Sequence, residues 1–265
     1  MSQERVRIRV DAEGVAEVIL ARPDKMNALD PAMFEAIVAA IERLRADAAV
    51  RAVVLHGEGR AFCAGLDKGS FEAMMRGERS FGDIERRTHG LANIWQQVAW
   101  GWRELPVPVI AAVQGVAFGG GLQIALGADV RYTRPDTRFS VMEVKWGLVP
   151  DMAGCVFMTE LLRADVAREL TFSGRIVEGE EAVRIGLATR TCDDPLAEAR
   201  ALARQIAGST PDAIRAAKRL LNGASPVRAD AVLGAESREQ QALIGSANQV
   251  EAVKAGLEGR AGVFG

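Results

Sequence analysis

The chain has 265 residues, 49% hydrophobic and 26% charged, enough apolar material for a sizeable core in one large domain, or in one domain with a helical appendage, without disulfide or metal staples. A formal net charge of −2 leaves no surplus of basic residues to neutralise a phosphate backbone, so no nucleic-acid partner is expected, while small anionic ligands stay compatible. Three scattered cysteines, Cys63, Cys155 and Cys192, suggest neither a disulfide framework nor a zinc site and point to a reducing compartment.

Glu4, Arg5, Arg7 and Arg9 open the chain with no long apolar run behind them, so neither a signal peptide nor a membrane anchor is expected, and a cytoplasmic location follows. Residues 6–10 alternate as a half-buried strand, and 15–20 read as its hairpin partner. A polar loop follows, and Asp30-Pro31 supplies an N-cap and first-turn proline for a helix to about residue 46. Its apolar positions Phe34, Ile37, Val38, Ile41 and Leu44 share one face. Residues 52–56 form a short apolar run suited to a strand covered on both sides, and it feeds a small-residue turn over 57–67. The mixed stretch 68–82 reads as a mobile loop with apolar contacts, and 83–104 as one long helix.

A strand at 107–113 then runs into Gly119-Gly120-Gly121 and the apolar residues 122–126, which predicts a helix starting on bare backbone N–H groups. Such an end suits a negatively charged oxygen, but glycines there can equally serve close packing of helix on strand. Pro108, Gln114 and five glycines break the apolar region 107–130, which makes it buried core and not a membrane span. Strands are expected at 129–133 and 138–141, then a loop over 142–151 that carries charge into apolar surroundings. From there helices dominate, at about 153–162, 164–172, 179–185, 195–207, 211–222, 226–243 and 247–257, with Pro211 and Pro226 marking two boundaries.

Elimination narrows the chemistry. The chain has no G-x-x-x-x-G-K-[ST] loop, no G-x-S-x-G elbow and no H-E-x-x-H pair, and with only His56 and His89 a histidine-based metal site is not expected. Each histidine reads as structural or exposed, and Cys63, without an evident histidine partner, as a small packing residue. Two glycine-rich turns and two carboxylates remain. Glu143 and Asp151 stand eight residues apart in one loop, either as site groups or as loop salt-bridge partners. Trp95, Trp100 and Trp102 either line a pocket or pack in the core.

Four stretches, residues 22–29, 61–67, 115–123 and 139–154, resemble successive motifs of the enoyl-CoA hydratase/isomerase (crotonase) family, collinear from about residue 5 to 264. The resemblance implies an α/β fold: a crotonase-like spiral of ββα units over residues 1–200, with a C-terminal helical oligomerisation module over 201–265 that builds a homotrimer or a dimer of trimers. It implies an acyl-CoA thioester substrate whose carbonyl is polarised by the N–H groups of Ala64 and Gly120, with coenzyme A entering as part of the substrate and no further cofactor or metal. Lys25, Met26, Ala28, Leu66, Asp67 and Phe264 are the implied CoA contacts, although Ala261 stands where a basic residue is common.

One departure matters. Gln123 occupies a position where hydratases of the family carry a glutamate, and an amide cannot exchange protons at neutral pH. Glu143 matches the second hydratase glutamate, and Asp151 matches an aspartate of dienoyl-CoA isomerases. Glu143, Asp151 and Gln123 are therefore the candidate catalytic residues, and hydratase, isomerase and non-catalytic acyl-CoA binder all stay open.

Overall fold

The computed structural model describes residues 4–75, 82–225 and 227–264. The hairpin of β1 (Val6–Val10) and β2 (Val15–Leu20) is antiparallel, with Val6 opposite Leu20. Helix α1 (Pro31–Ala46) starts at Asp30, whose Oδ1 accepts from the Met33 N–H at 2.8 Å, and Arg5 grips the same carboxylate at 2.7 Å. Strand β3 (Ala52–Gly57) is buried along its whole length.

The order continues with α2 (Lys68–Met75), α3 (Ile94–Glu104), β4 (Val109–Val113), β5 (Val116–Phe118), α4 (Gly120–Leu126), β6 (Val130–Thr133) and β7 (Arg138–Ser140). After them come α5 (Gly154–Leu161), α6 (Ala164–Ser173), β8 (Val177–Glu178), α7 (Gly179–Ile185), β9 (Arg190–Thr191) and the helices α8 (Pro195–Ala207), α9 (Pro211–Gly223), α10 (Ala229–Leu243) and α11 (Ala247–Glu258).

These elements repeat. The main sheet runs β1-β2-β3-β4-β6-β9, parallel from β2 onward, while the second strand of successive turns goes to a smaller sheet, β5-β7-β8. Parallel strands need covering on both faces. Val53 and Leu55 of β3 face the main core, whereas Ala52 and Val54 face a second layer built on Ala199, Ala203 and Ala207 of α8. Among the described residues no helix is long and apolar enough to cross a membrane.

Two expectations from the sequence fail here. Residues 83–93 are turns and not the first half of a long helix, because Asn93 caps α3 in a reciprocal box with Gln96 and also binds the Ile84 carbonyl at 2.7 Å. Arg87 holds those turns by donating to the carbonyls of Ile84 and Glu85. The stretch expected to be irregular begins as α2, started by Asp67, whose Oδ1 accepts from the Gly69 N–H at 2.8 Å; residues 76–81 lie outside the described residues, as does Pro226.

Candidate active site

A cavity of about 690 Å³ lies where the loop after β2, the turn after β3, the β5–α4 turn and the β7–α5 loop meet α10. Asn27, fully buried, staples two of these loops: its Nδ2 donates to the carbonyls of Glu58, Ala61 and Phe62 at 3.0, 2.9 and 3.2 Å. The turn after β3 is pinned to β5 by Cys63 N–H to Val116 O and Phe118 N–H to Cys63 O, each at 3.1 Å. Gly121 makes that approach possible, since a Cβ there would fall on the Cys63 carbonyl and 2.8 Å from Cys63 Cβ. Cys63 is fully buried, its Sγ donates to Asn27 O, and burial pushes its thiol up to about 12, so it is a packing residue and no nucleophile.

The N–H of Ala64 is not available to a thioester, which corrects the sequence expectation: it donates to the Met26 carbonyl at 2.9 Å. The parallel bridge between Leu29 and Leu66 is what displaces the free donor, because Leu29 N–H takes Gly65 O at 2.8 Å and Asp67 N–H takes Leu29 O at 3.0 Å. This leaves the Leu66 N–H with no acceptor among the described residues, and the same holds for Gly120, the first residue of α4. The two lie close together: Gly65 takes φ +86°, and a Cβ on it would sit 3.6 Å from the Gly120 nitrogen.

Gln123, Glu143 and Asp151 all line this cavity. The orientation of the Gln123 amide is set by two backbone donors, Met152 N–H at 2.8 Å and Gly154 N–H at 2.9 Å, both to its Oε1. Its Nε2 must therefore face Glu143, and donates to Oε1 at 2.6 Å. Glu143 opens a 3₁₀ turn (Glu143–Trp146), is nearly buried, and has no partner for Oε2 among the described residues. Burial raises its pKa to about 7 despite the Gln123 hydrogen bond. Asp151 is raised well above the ordinary aspartate range, by burial first and then by the charges of Glu236 and Glu143. Neither carboxylate forms a salt bridge among the described residues, which removes the reading of them as loop ion-pair partners.

Lys25, Met26, Ala28, Leu66 and Asp67 line the cavity as well, and Arg22, not singled out from sequence, braces Asp67 at 2.7 Å. Phe264 does not. After α11, Arg260 bonds Glu251 at 2.6 Å and the Val263 N–H bonds it at 2.9 Å, which leaves Phe264 59% exposed and outside the cavity lining. Trp95 lines the cavity edge-on to Phe34, whereas Trp100 and Trp102 are core residues. His56 lies in the second layer with Nε2 2.8 Å from Glu17, and His89 lies near Glu42; neither reaches the cavity. The sequence reading missed Glu236 and Gln240 of α10, although Leu233, Glu236, Ser237 and Gln240 fall on one helical face, a spacing that marks polar groups for burial beside an apolar one.

The model of the enoyl-CoA hydratase/isomerase family matches residues 11–265. A short-chain-enoyl-CoA hydratase of Clostridium acetobutylicum is 30% identical over 255 residues, 95% of this chain and 94% of that protein. A mitochondrial Delta(3,5)-Delta(2,4)-dienoyl-CoA isomerase of Dictyostelium discoideum is 27% identical over 259 residues, 96% of this chain and 88% of that protein. Among solved structures, an enoyl-CoA hydratase/isomerase from Mycobacterium paratuberculosis matches with a TM-score of 0.85 at 27% identity, over 95% of this chain and 98% of that one.

Proposed function

Because the chain belongs to the enoyl-CoA hydratase/isomerase family, whose members act on enoyl-CoA, we propose that its own reaction is migration of a double bond along the acyl chain, with Glu143 as base and Asp151 as acid. The observation that carries this reading is Gln123, whose amide is locked by Met152 and Gly154 and can neither give nor take a proton, while two carboxyl groups in unlike surroundings face the same cavity. The thioester oxygen would accept from the N–H groups of Leu66 and Gly120, donors of a kind worth roughly 3 kcal/mol each in the transition state.

In the proposed sequence Glu143 Oε2 removes a proton from the carbon between the carbonyl and the double bond, and the freed electron pair spreads onto the thioester oxygen. As that pair returns to form the new double bond, the π pair of the old one takes the Asp151 proton at the far carbon. One C–H bond breaks and one forms, and solvent returns both carboxyls to their starting states. Coenzyme A enters with the substrate, near Lys25, Met26, Ala28, Leu66 and Asp67, and no separate cofactor or metal takes part.

Incubation with a 3-enoyl-CoA, a 3,5-dienoyl-CoA and crotonyl-CoA tests the reading. Double-bond migration is expected to exceed hydration. Hydration alone would favour a water held on Glu143 Oε2, which has no protein partner among the described residues, and inactivity on all three would favour an acyl-CoA binder. Gln123→Glu, which puts a carboxyl opposite Glu143, is expected to raise crotonyl-CoA hydration measurably over the parent.

The helical module of residues 201–265 is proposed to build a homotrimer, or a dimer of trimers, in the cytoplasm. Supporting it, Leu220 and Leu221 of α9 are about three-quarters exposed, a poor arrangement for a free surface. Phe264 would then meet CoA from another copy. Light scattering is expected to give three subunits or a multiple; a monomer at all concentrations would overturn this.

A further inference from the structure

Helix α5 has no capping side chain of its own, because its N-cap position is Ala153, held at φ 67°. Glu236, brought from α10, supplies the cap. Its Oε1 accepts from Cys155 N–H at 2.9 Å, and its Oε2 from Ala153 N–H at 2.9 Å and Gln96 Nε2 at 3.1 Å. One turn further along α10, Gln240 Oε1 accepts from Val149 N–H at 3.1 Å, two residues before Asp151. The two side chains thus grip the loop on either side of Asp151.

We propose that Glu236 is a positioning residue for the proton transfer: it docks the Asp151 loop on α10, and its negative charge keeps the proton on Asp151. The inference rests on the reading of Asp151 as the acid. The charged groups around the pair are Glu143 on the cavity side and Arg87 behind Gln96, where its Nη1 donates to Gln96 Oε1 at 2.7 Å and its Nη2 to Ser237 Oγ at 2.6 Å; Arg238 acts on Arg87 from α10, and Cys155 stays a thiol. Arg87 is spent on these neutral partners and makes no direct bond to Glu236 among the described residues, so the negative charge facing Asp151 is not neutralised by a contact pair. Burial sets Glu236 itself at about 7, so its charge is present on the alkaline side of neutrality and adds to the burial that holds the proton on Asp151.

The test is the pH profile of kcat for double-bond migration. Glu236→Gln is expected to move the alkaline limb down by about one pH unit, so that kcat at a pH on the parent's limb falls about tenfold while kcat at pH 6 and KM stay near the parent's. Glu236→Asp, which keeps the charge, is expected to restore the limb. Equal loss at every pH, or no change, would overturn the proposal. Should Glu236→Gln fail to fold, a carbon-13 titration of Asp151 in a Glu143→Gln background decides: two inflections are expected, one near 7 from Glu236, and a single inflection with none near 7 overturns it. If Asp151→Asn leaves migration intact, the underlying acid assignment is what fails; if it abolishes migration while the Glu236→Gln limb stays in place, only the role of Glu236 fails.

Discussion

Glu143→Gln is expected to lower kcat by about 10²- to 10⁴-fold with little change in KM, the range for loss of a positioned base. The replacement keeps the volume and can still accept from Gln123 Nε2 through its amide oxygen, so the cavity wall should stay as it is. The same variant has an opposite effect on stability. Burial raises the Glu143 pKa from 4.5 to about 7, so the folded state holds a proton that the unfolded chain releases. Its contribution is intact below pH 4.5 and is lost as pH rises through about 7, and above that the charged group costs about 3 kcal/mol. Glu143→Gln should therefore melt at higher temperature than the parent at pH 8 and at about the same temperature at pH 4. Lost activity joined to gained stability cannot come from misfolding. Normal turnover in the variant would remove Glu143 from the mechanism.

Asp151→Asn is expected to reduce double-bond migration by a similar factor, about 10²- to 10⁴-fold, because both ends of the migrating system need a proton carrier. Asparagine keeps the volume, and the loop stays held by Gln240 at Val149 and by Glu236 at Ala153 and Cys155, so it should hold its place, but asparagine has no proton to give. Hydration of crotonyl-CoA, if present, should fall much less, since a route through Glu143 alone does not use Asp151. The comparison is made on one preparation with a 3-enoyl-CoA and crotonyl-CoA. Equal loss on both would assign Asp151 to the architecture of the loop, and no loss on either would sink the two-carboxyl mechanism.

Much of this protein was legible in one dimension because its signals are local. The Asp30-Pro31 start of α1, the fully buried run of β3, the glycine start of α4 and the helices from α5 to α11 all follow from capping chemistry and periodicity within a few residues. The same local signals misled at residues 83–93, where a helical pattern is overridden by Arg87 gathering carbonyls and by the Asn93 cap. Motif order was enough to identify the family, and with it the cavity residues Gln123, Glu143 and Asp151.

What sequence alone determined was which side chains are present to act: an amide where a carboxyl could stand, and two carboxyls eight residues apart. The tertiary structure decided which backbone donor is free and which way the amide points. Ala64 and Leu66 are two residues apart in one turn, and only the pairing of that turn with Met26 and Leu29 consumes the N–H of the first and leaves that of the second. Only the start of α5, folded back on α4, turns Gln123 Nε2 toward Glu143, and only α10 brings Glu236 to the loop that carries Asp151, from 85 residues along the chain. Hydrogen-bond partners distant in sequence are chosen by packing, and no local pattern encodes them.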